Sequence, residues 1–137
     1  MHDVTLQEVF LDESYFEVPT ILFDIYVEAI DRVVGRVEYR HEEKQDLKYY
    51  GNIGYVVYLP YRGQNYAYKA TKQLIEILKQ RIEGLYEIYI TCNPDNIPSK
   101  KTIEKLDAKY IGRTDVDKSH ELYRLGDKQK DIYILYV

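Results

Sequence analysis

Residues 59–67, which read Leu-Pro-Tyr-Arg-Gly-Gln-Asn-Tyr-Ala, carry the clearest chemical signal in this chain. A strand-like run over residues 53–58 leads into this segment, and an amphipathic pattern from residue 66 to about residue 82 follows it. The first N–H groups of a helix have no partner inside the helix, and the helix dipole is positive at that end. A strand, a tight polar loop and a helix start in this order therefore predict an anion-binding loop.

Length and composition limit the class of protein. With 137 residues the chain can bury its own core, and we expect one domain over residues 1–137. The net charge of −4 argues against general nucleic-acid binding, which depends on neutralising phosphates. No apolar run approaches the ~20 residues of a membrane span, and the N-terminus lacks the pattern of a signal peptide. The sequence therefore predicts a cytoplasmic protein without nucleic-acid or membrane partners.

The charged residues are distributed unevenly. Residues 1–31 contain eight carboxylates and no lysine or arginine, namely Asp3, Glu8, Asp12, Glu13, Glu17, Asp24, Glu28 and Asp31. Between residues 61 and 82 the balance reverses, with Arg62, Lys69, Lys72, Lys79 and Arg81 against Glu76. The basic segment favours a phosphorylated cofactor. For the acidic segment, a site for a cationic acceptor competes with the more frequent alternative of an ordinary solvated surface.

Hydrophobic periodicity predicts an α/β (α+β) fold. Alternating or β-rich patterns predict strands over residues 4–11, 20–30, 32–40, 49–59, 86–92, 110–114, 120–125 and 131–137, with the last two joined as a hairpin. Helical spacing predicts two principal helices over residues 66–82 and 97–106, and residues 41–48 read as a hairpin loop. This order predicts a mixed, largely antiparallel sheet of about six or seven strands, with parallel pairing around the first helix.

Four segments follow one another in an order that a known family also shows. They are Ile53-Gly54-Tyr55-Val56, Pro60-Tyr61-Arg62-Gly63-Gln64-Asn65-Tyr66-Ala67, Asn96-Ile97-Pro98-Ser99 with Glu104-Lys105-Leu106, and Asp131-Ile132-Tyr133-Ile134-Leu135-Tyr136. In this order and spacing they resemble the GCN5-related N-acetyltransferase (GNAT) superfamily, and in particular its branch that acetylates ribosomal-protein N-termini and small amines. Asn65 stands where the family's acetyl-CoA loop, Arg/Gln-x-x-Gly-x-Gly/Ala, usually has its middle glycine.

The resemblance implies a GNAT-like domain with reduced or absent N-terminal helices. Family members usually carry two helices ahead of the matched region, and these helices cover the acceptor site. Only about thirty residues precede that region here, and they show no clear helical pattern. We therefore expect an acceptor pocket that is open, or that another subunit completes in a homodimer.

The resemblance also implies an activity and a set of site residues. The activity is transfer of an acetyl group from acetyl-CoA, as co-substrate, to a primary amine of a small molecule or a peptide N-terminus, by direct attack. The cofactor-binding residues are Val56, Val57 and Tyr58 for the pantetheine arm, Arg62, Gly63, Gln64, Asn65, Tyr66 and Ala67 for the pyrophosphate, and Asn96 for the end of the pantetheine. The catalytic residues are Ser99, as proton donor to the thiolate, and Asn96, which equally suits helix capping. No metal site is expected.

Several positions depart from the family pattern and leave alternatives open. Some relatives have a glutamate base where this chain has Asn52, and many have a tyrosine acid where it has Ile103. Glu38 and His41 remain as candidate bases, and the single Cys92 is expected to belong to the core. A catalytically weak or inactive CoA-binding module is therefore one alternative. A self-associating interaction domain that uses its tyrosine-rich strands is another.

Overall fold

The computed structural model describes residues 2–137, which form seven strands and four α-helices. The strands are β1 (Thr5–Val9), β2 (Thr20–Val27), β3 (Arg32–Arg40), β4 (Ile53–Val57), β5 (Glu87–Cys92), β6 (Lys109–Asp115) and β7 (Gln129–Tyr136). The helices are α1 (Lys44–Tyr50), α2 (Tyr66–Arg81), α3 (Ile97–Lys105) and α4 (Glu121–Arg124), and 3₁₀ turns cover Glu13–Tyr15, Glu28–Ile30 and Leu59–Tyr61. The number of strands and the two principal helices, α2 and α3, agree with the sequence-based prediction.

The strands form two sheets rather than one mixed sheet. The first sheet has the order β1-β2-β3-β4 and the second has the order β5-β7-β6, and every pair within them is antiparallel. Just before β4, Asn52 N–H donates to the carbonyl of Tyr89 in β5 at 2.7 Å. Beyond this contact β4 and β5 form no ladder within residues 2–137, because the two strands separate. The predicted parallel pairing around α2 is therefore wrong.

The main core lies on the face of the first sheet that α2 covers. The buried residues of α2 recur at the predicted helical spacing, and they are Tyr66, Ala70, Thr71, Leu74, Ile75 and Leu78. Val37 of β3, Ile90 of β5 and Ile103 of α3 belong to the same cluster. One core therefore holds both sheets and both principal helices together.

Residues 2–31 contain no α-helix, and their only helical parts are the two 3₁₀ turns Glu13–Tyr15 and Glu28–Ile30. This confirms the expected reduction of the N-terminal helices. α1, which lies between β3 and β4, packs against β5 and β7 and so does not replace them over the first sheet.

Two segments differ from their predicted structure. Residues 41–48, predicted as a hairpin loop, lead into α1, which begins at Lys44 and continues to Tyr50. β4 is correspondingly shorter than the predicted strand and begins at Ile53. Residues 120–125, predicted as a strand, contain α4. The partner of β7 on this side is β6, so the predicted closing hairpin is also wrong.

A small second core explains both differences. Tyr49 of α1 packs with Val116 and Leu122 in a cluster separate from the main core. His120, just before α4, places its Nε2 3.0 Å from Asp46 Oδ1 across 74 residues of sequence. These contacts stabilise two short helices whose local sequence patterns do not indicate them.

A buried carboxylate ties the second sheet to α3. Asp131 of β7 is 1% exposed, accepts a hydrogen bond from Arg113 Nε at 2.8 Å and lies 2.9 Å from Lys100 Nζ. The hydrogen bonds from Arg113, assisted by Lys100, hold the pKa of Asp131 below its ordinary value, because both partners favour the charged form.

We expect Asp131→Asn to lower the free energy of unfolding at pH 7 by about 2 kcal/mol, because hydrogen bonds to a buried charge are lost. The folded-state pKa is depressed, so the carboxylate stabilises the fold above its unfolded pKa of about 3.9 and loses that effect as the pH falls through the lower folded value. Urea unfolding between pH 7 and pH 3 should show the difference shrinking at the acid end. The exposed Asp95→Asn serves as control, and a pH-independent difference would contradict the assignment.

Candidate active site

The predicted anion loop connects β4 to α2 through two residues in the left-handed backbone region. Gly63 has a φ of 85°, and no atom lies within 4 Å of the position that a side-chain carbon would take there. Asn65 has a φ of 62° and directly precedes Tyr66, the first residue of α2. Residues 62–65 thus connect the 3₁₀ turn Leu59–Tyr61 to the first residue of α2.

The N–H groups from Gly63 to Tyr68 have no hydrogen-bond acceptor within residues 2–137. The first amide of α2 with a partner is that of Lys69, which donates to the carbonyl of Asn65 at 3.1 Å. Asparagine at the start of a helix usually caps it with its side chain, but the side chain of Asn65 makes no such bond. Free donors therefore lie at the positive end of a 16-residue helix, as anion binding requires.

β4 presents one backbone edge to the space between the two sheets. Tyr58 N–H donates to the carbonyl of Val34 in β3 at 2.8 Å. Because amides alternate in direction along an antiparallel strand, the N–H groups of Tyr58 and Val56 both point toward β3. The amides of Tyr55 and Val57 therefore point away from β3. The carbonyl of Val57 accepts a hydrogen bond from Arg62 Nε at 2.9 Å. Of the predicted pantetheine-binding residues, Val57 is the one whose N–H faces outward.

Of the two predicted catalytic residues, Asn96 caps α3, and Ser99 in its first turn contacts Tyr55 of β4. The side chain of Asn96 caps the helix by accepting a hydrogen bond from Ser99 N–H at 3.2 Å. Ser99 Oγ lies 2.7 Å from the hydroxyl of Tyr55. Burial raises the pKa of Tyr55, so the phenol keeps its proton at neutral pH. A pair of hydroxyl groups thus lies beside the outward edge of β4.

The two positions that differ from the family's acid and base pattern have structural roles here. The side chain of Asn52 is fully engaged, since its Nδ2 donates to the carbonyl of Arg40 and its Oδ1 accepts from Tyr89 N–H, both at 2.9 Å. Ile103 is completely buried in the core. Neither side chain can transfer a proton.

A groove of about 460 Å³ lies on the face of the first sheet opposite α2. Its walls include Leu11 and Phe16 from the β1–β2 connection and Glu38 of β3. Glu38 lies over Gly54 of β4, because a side-chain carbon added at Gly54 would come within 3.2 Å of Glu38 Oε1. Arg40 Nη1 lies 3.5 Å from the same carboxylate. The groove therefore holds one positioned carboxylate against the backbone of β4.

His41, the other candidate base, lies away from the anion loop. It lines a second cavity with residues 82–87, beyond the C-terminal end of α2. The anion loop is at the opposite end of this helix, whose 16 residues span ~24 Å. Of the two candidate bases, Glu38 therefore lies closer to the outward edge of β4, where the acetyl group is expected.

Several carboxylates of the acidic segment have local partners. Glu8 accepts hydrogen bonds from Arg81, Asp24 from Arg36, Asp31 from Tyr26, and Asp12 from the N–H of Ser14. These bonds weaken the negative potential that a cationic acceptor would meet. An ordinary solvated surface fits this segment better than a dedicated acceptor surface.

Comparison with protein families identifies the domain. A model described as an acetyltransferase (GNAT) domain matches residues 10–109. The chain belongs to this family. None of the curated proteins matches the chain in sequence.

Similar solved structures are also acetyltransferases. The ribosomal-protein-S5-alanine acetyltransferase of Vibrio fischeri has a TM-score of 0.67 and 19% identity, covering 85% of this chain and 61% of that one. RimJ of Mycobacterium smegmatis, in complex with CoA-disulfide, has a TM-score of 0.66 and 18% identity, covering 91% and 56%. The microcin C7 self-immunity acetyltransferase MccE, in complex with acetyl-CoA and AMP, has a TM-score of 0.64 and 16% identity, covering 86% and 61%. These structures share the GNAT fold, and this chain spans only 56–61% of their length.

Within residues 2–137, the GNAT domain was also compared with the requirements for a membrane span and for a metal site. None of the helices there is both long and apolar enough to cross a membrane. Nor do His, Cys, Asp and Glu side chains form a group of three or more that could hold a metal ion.

Sequence reasoning missed two residues that the GNAT domain brings to the site. Strand alternation places Tyr55 on the same face as Ile53 and Val57, so its direction was predictable, but its contact with Ser99 depends on how α3 packs. Lys105, at the end of α3, donates a hydrogen bond to Asn65 Oδ1 at 2.7 Å. No local pattern indicates that contact, because the two residues lie 40 positions apart.

Cys92 lies in the core, as the sequence predicted, and is 5% exposed. Burial raises the pKa of its thiol, and the carboxylate of Asp131 acts in the same direction. The thiol is therefore protonated at neutral pH and shielded from reagents.

We expect Cys92 to react with iodoacetamide much more slowly in the folded protein than in urea, since the reactive thiolate is both disfavoured and inaccessible. Mass spectrometry over a time course measures the two rates. Equal rates would show that this part of β5 opens readily, and would restore Cys92 as a candidate nucleophile.

Proposed function

We propose that this GNAT domain is an acetyl-CoA-dependent N-acetyltransferase that transfers the acetyl group to a primary amine by direct attack. The observation that carries the proposal is the row of free N–H groups from Gly63 to Tyr68, next to the outward edge of β4. Such an arrangement suits a pyrophosphate followed by an extended arm that hydrogen-bonds along a strand. The acetyl-CoA bound to MccE and the CoA-disulfide bound to M. smegmatis RimJ support this co-substrate.

The protein side of the reaction can be assigned to named groups. The lone pair of the neutral amine attacks the thioester carbonyl carbon, and the nitrogen then releases one proton to solvent. The C–S bond breaks, and the leaving thiolate takes a proton. Ser99 is the proposed donor of that proton and recovers it from solvent. The hydroxyls of Tyr55 and Ser99 lie 2.7 Å apart, and when the phenol donates to Ser99 Oγ, the serine proton is free to face the sulfur. The outward N–H groups of Tyr55 and Val57 stabilise the oxyanion.

The proposed acceptor site is the groove on the open face of the first sheet. Glu38 accepts the proton that the acceptor's ammonium must lose before the neutral amine can attack, directly or through a water. The apolar side chains of Leu11 and Phe16 suit an acceptor whose amine is followed by an apolar group. A peptide N-terminus or a small amine meets both requirements, and the alanine acetyltransferase of V. fischeri supports the former.

A second candidate function is CoA binding without turnover. Its support is specific, because Asn52 and Ile103 occupy the positions of the family's usual base and acid and both are committed to the structure. Under this hypothesis the anion loop binds CoA, but the proton transfers are too slow for catalysis.

Release of free thiol from acetyl-CoA across a panel of small amines and peptides separates the two functions. We expect at least one amine to accelerate the release, and Ser99→Ala to lower kcat about 100-fold with little change in the KM for acetyl-CoA. Ser119→Ala, a serine in the loop before α4, is the matched control and should leave kcat unchanged. CoA binding without any release would establish the second candidate, and no binding at all would overturn both.

We expect Gly63→Val to weaken CoA binding by roughly tenfold or more, since a β-branched residue is strained at a φ of 85° and displaces the neighbouring N–H groups. The matched control is Gly84→Val, because Gly84 has a similar φ of 78° and equally open surroundings beyond the other end of α2. Isothermal calorimetry with CoA compares the two variants. If both bind CoA as the wild type does, the loop is not the phosphate site.

A further inference from the structure

A contact joins α3 to the anion loop at Asn65, the loop residue that departs from the family pattern. Lys105 is the last residue of α3, and its Nζ donates to Asn65 Oδ1 at 2.7 Å. The same ammonium lies 5.6 Å from the centre of the Tyr68 ring in the first turn of α2. A lysine from a distant part of the chain is thus held against the loop residue that replaces the family's glycine.

The Asn65 side chain binds Lys105 and does not cap α2, since its left-handed backbone (φ 62°, ψ 23°) differs from the extended conformation of a capping residue. Asparagine is among the best helix caps, and a cap would satisfy an amide of the first turn. Here the side-chain oxygen binds the ammonium of Lys105 instead, and the amides up to Tyr68 stay without acceptors within residues 2–137. A solvent-exposed bond of this kind adds little to stability. The bond between Lys105 and Asn65 is therefore better explained by ligand binding at the free amides than by a contribution to stability.

The lysines near Tyr68 also indicate an anion-binding site. Lys72 Nζ lies 5.4 Å from the centre of the Tyr68 ring, so two ammonium groups flank one aromatic side chain. In the described part of the chain, neither Lys72 nor Lys105 forms an ion pair with a carboxylate. Uncompensated positive charge beside free backbone donors favours an anion that carries more than one charge.

We propose that Lys105 is a ligand of the phosphates of CoA and that Asn65 holds its ammonium in place until the cofactor binds. On binding, the ammonium exchanges the neutral oxygen of Asn65 for a charged phosphate oxygen, which forms a stronger hydrogen bond. In this proposal, the replacement of the family's glycine by Asn65 contributes to CoA binding, because Asn65 positions Lys105. The inference rests on the proposed CoA site and adds a specific residue to it, outside the loop and the helix start.

The test compares Lys105→Met with Lys105→Arg and with Lys101→Met, whose exposed lysine lies on the same helix. Calorimetry with CoA at low and high NaCl gives the affinity and its salt dependence. We expect Lys105→Met to weaken CoA binding by about tenfold at low salt and to reduce the salt dependence, because one charge contact with phosphate is lost. Lys105→Arg should keep most of the affinity, and Lys101→Met should match the wild type.

Other outcomes are decisive as well. If the wild type binds CoA and Lys105→Met binds it equally well, this inference is wrong while the proposed function stands. An equal loss of affinity at both salt concentrations, together with a lower urea midpoint, would assign Lys105 a structural role and also overturn it. If the wild type does not bind CoA, the proposed function fails and this inference fails with it.

Asn65→Gly tests the holding role separately. Glycine accepts the left-handed backbone without strain, so this variant removes the side-chain oxygen alone. We expect a loss of CoA affinity smaller than that of Lys105→Met. Tighter binding by Asn65→Gly would show that the asparagine obstructs the site.

Discussion

Four hydrogen bonds made by Asn52 hold the two sheets together at one point and determine where they separate. Its N–H and Oδ1 bind the backbone of Tyr89 in β5, and its carbonyl and Nδ2 bind the backbone of Arg40 in β3. Each buried group left without its partner would cost about 1–3 kcal/mol. Because β4 and β5 part beyond this residue, the amides of Tyr55 and Val57 face an open space instead of a neighbouring strand. The proposed pantetheine site is that space.

α3 determines the geometry around this opening, since three of its residues contact three different elements. Ser99 meets Tyr55 of β4, Lys100 lies beside Asp131 of β7, and Lys105 reaches the loop before α2. The proposed proton donor, Ser99, and the proposed phosphate ligand, Lys105, therefore lie on one helix, anchored to the second sheet by the buried carboxylate of Asp131. A shift of α3 would move both groups together, which links the stability of the second sheet to the site.

The parts of the fold predicted from sequence are those with strong local signals. The spacing of the apolar residues of α2, Pro98 and Asn96 at the start of α3, and the strand alternation of β3 all appear as expected. The errors occur where tertiary contacts decide the structure. Tyr49 and Leu122 stabilise α1 and α4 through a core that joins distant segments. β4 and β5 separate beyond Asn52, so two sheets form instead of one.

In the candidate site, too, features with local sequence signals were predictable and features that depend on tertiary contacts were not. The loop sequence was sufficient to predict that Gly63 and Asn65 lie between a strand and a helix start, because these elements follow one another in the chain. Tyr55 and Lys105 were missed, because their contacts with Ser99 and Asn65 join residues at least 40 positions apart. Capping by Asn96 was predictable from its position, whereas Asn65 does not cap α2 because its backbone is left-handed rather than extended.

In the proposed function, the free amides at the start of α2 bind the phosphates of CoA. The most direct measurement is a titration of ¹⁵N-labelled protein with CoA, followed by amide chemical shifts in NMR spectra. We expect saturable changes that are largest for the amides from Gly63 to Tyr68, with smaller changes at Tyr55 and Val57. Changes confined to the cavity beside His41, or no change at millimolar CoA in a folded protein, would contradict it.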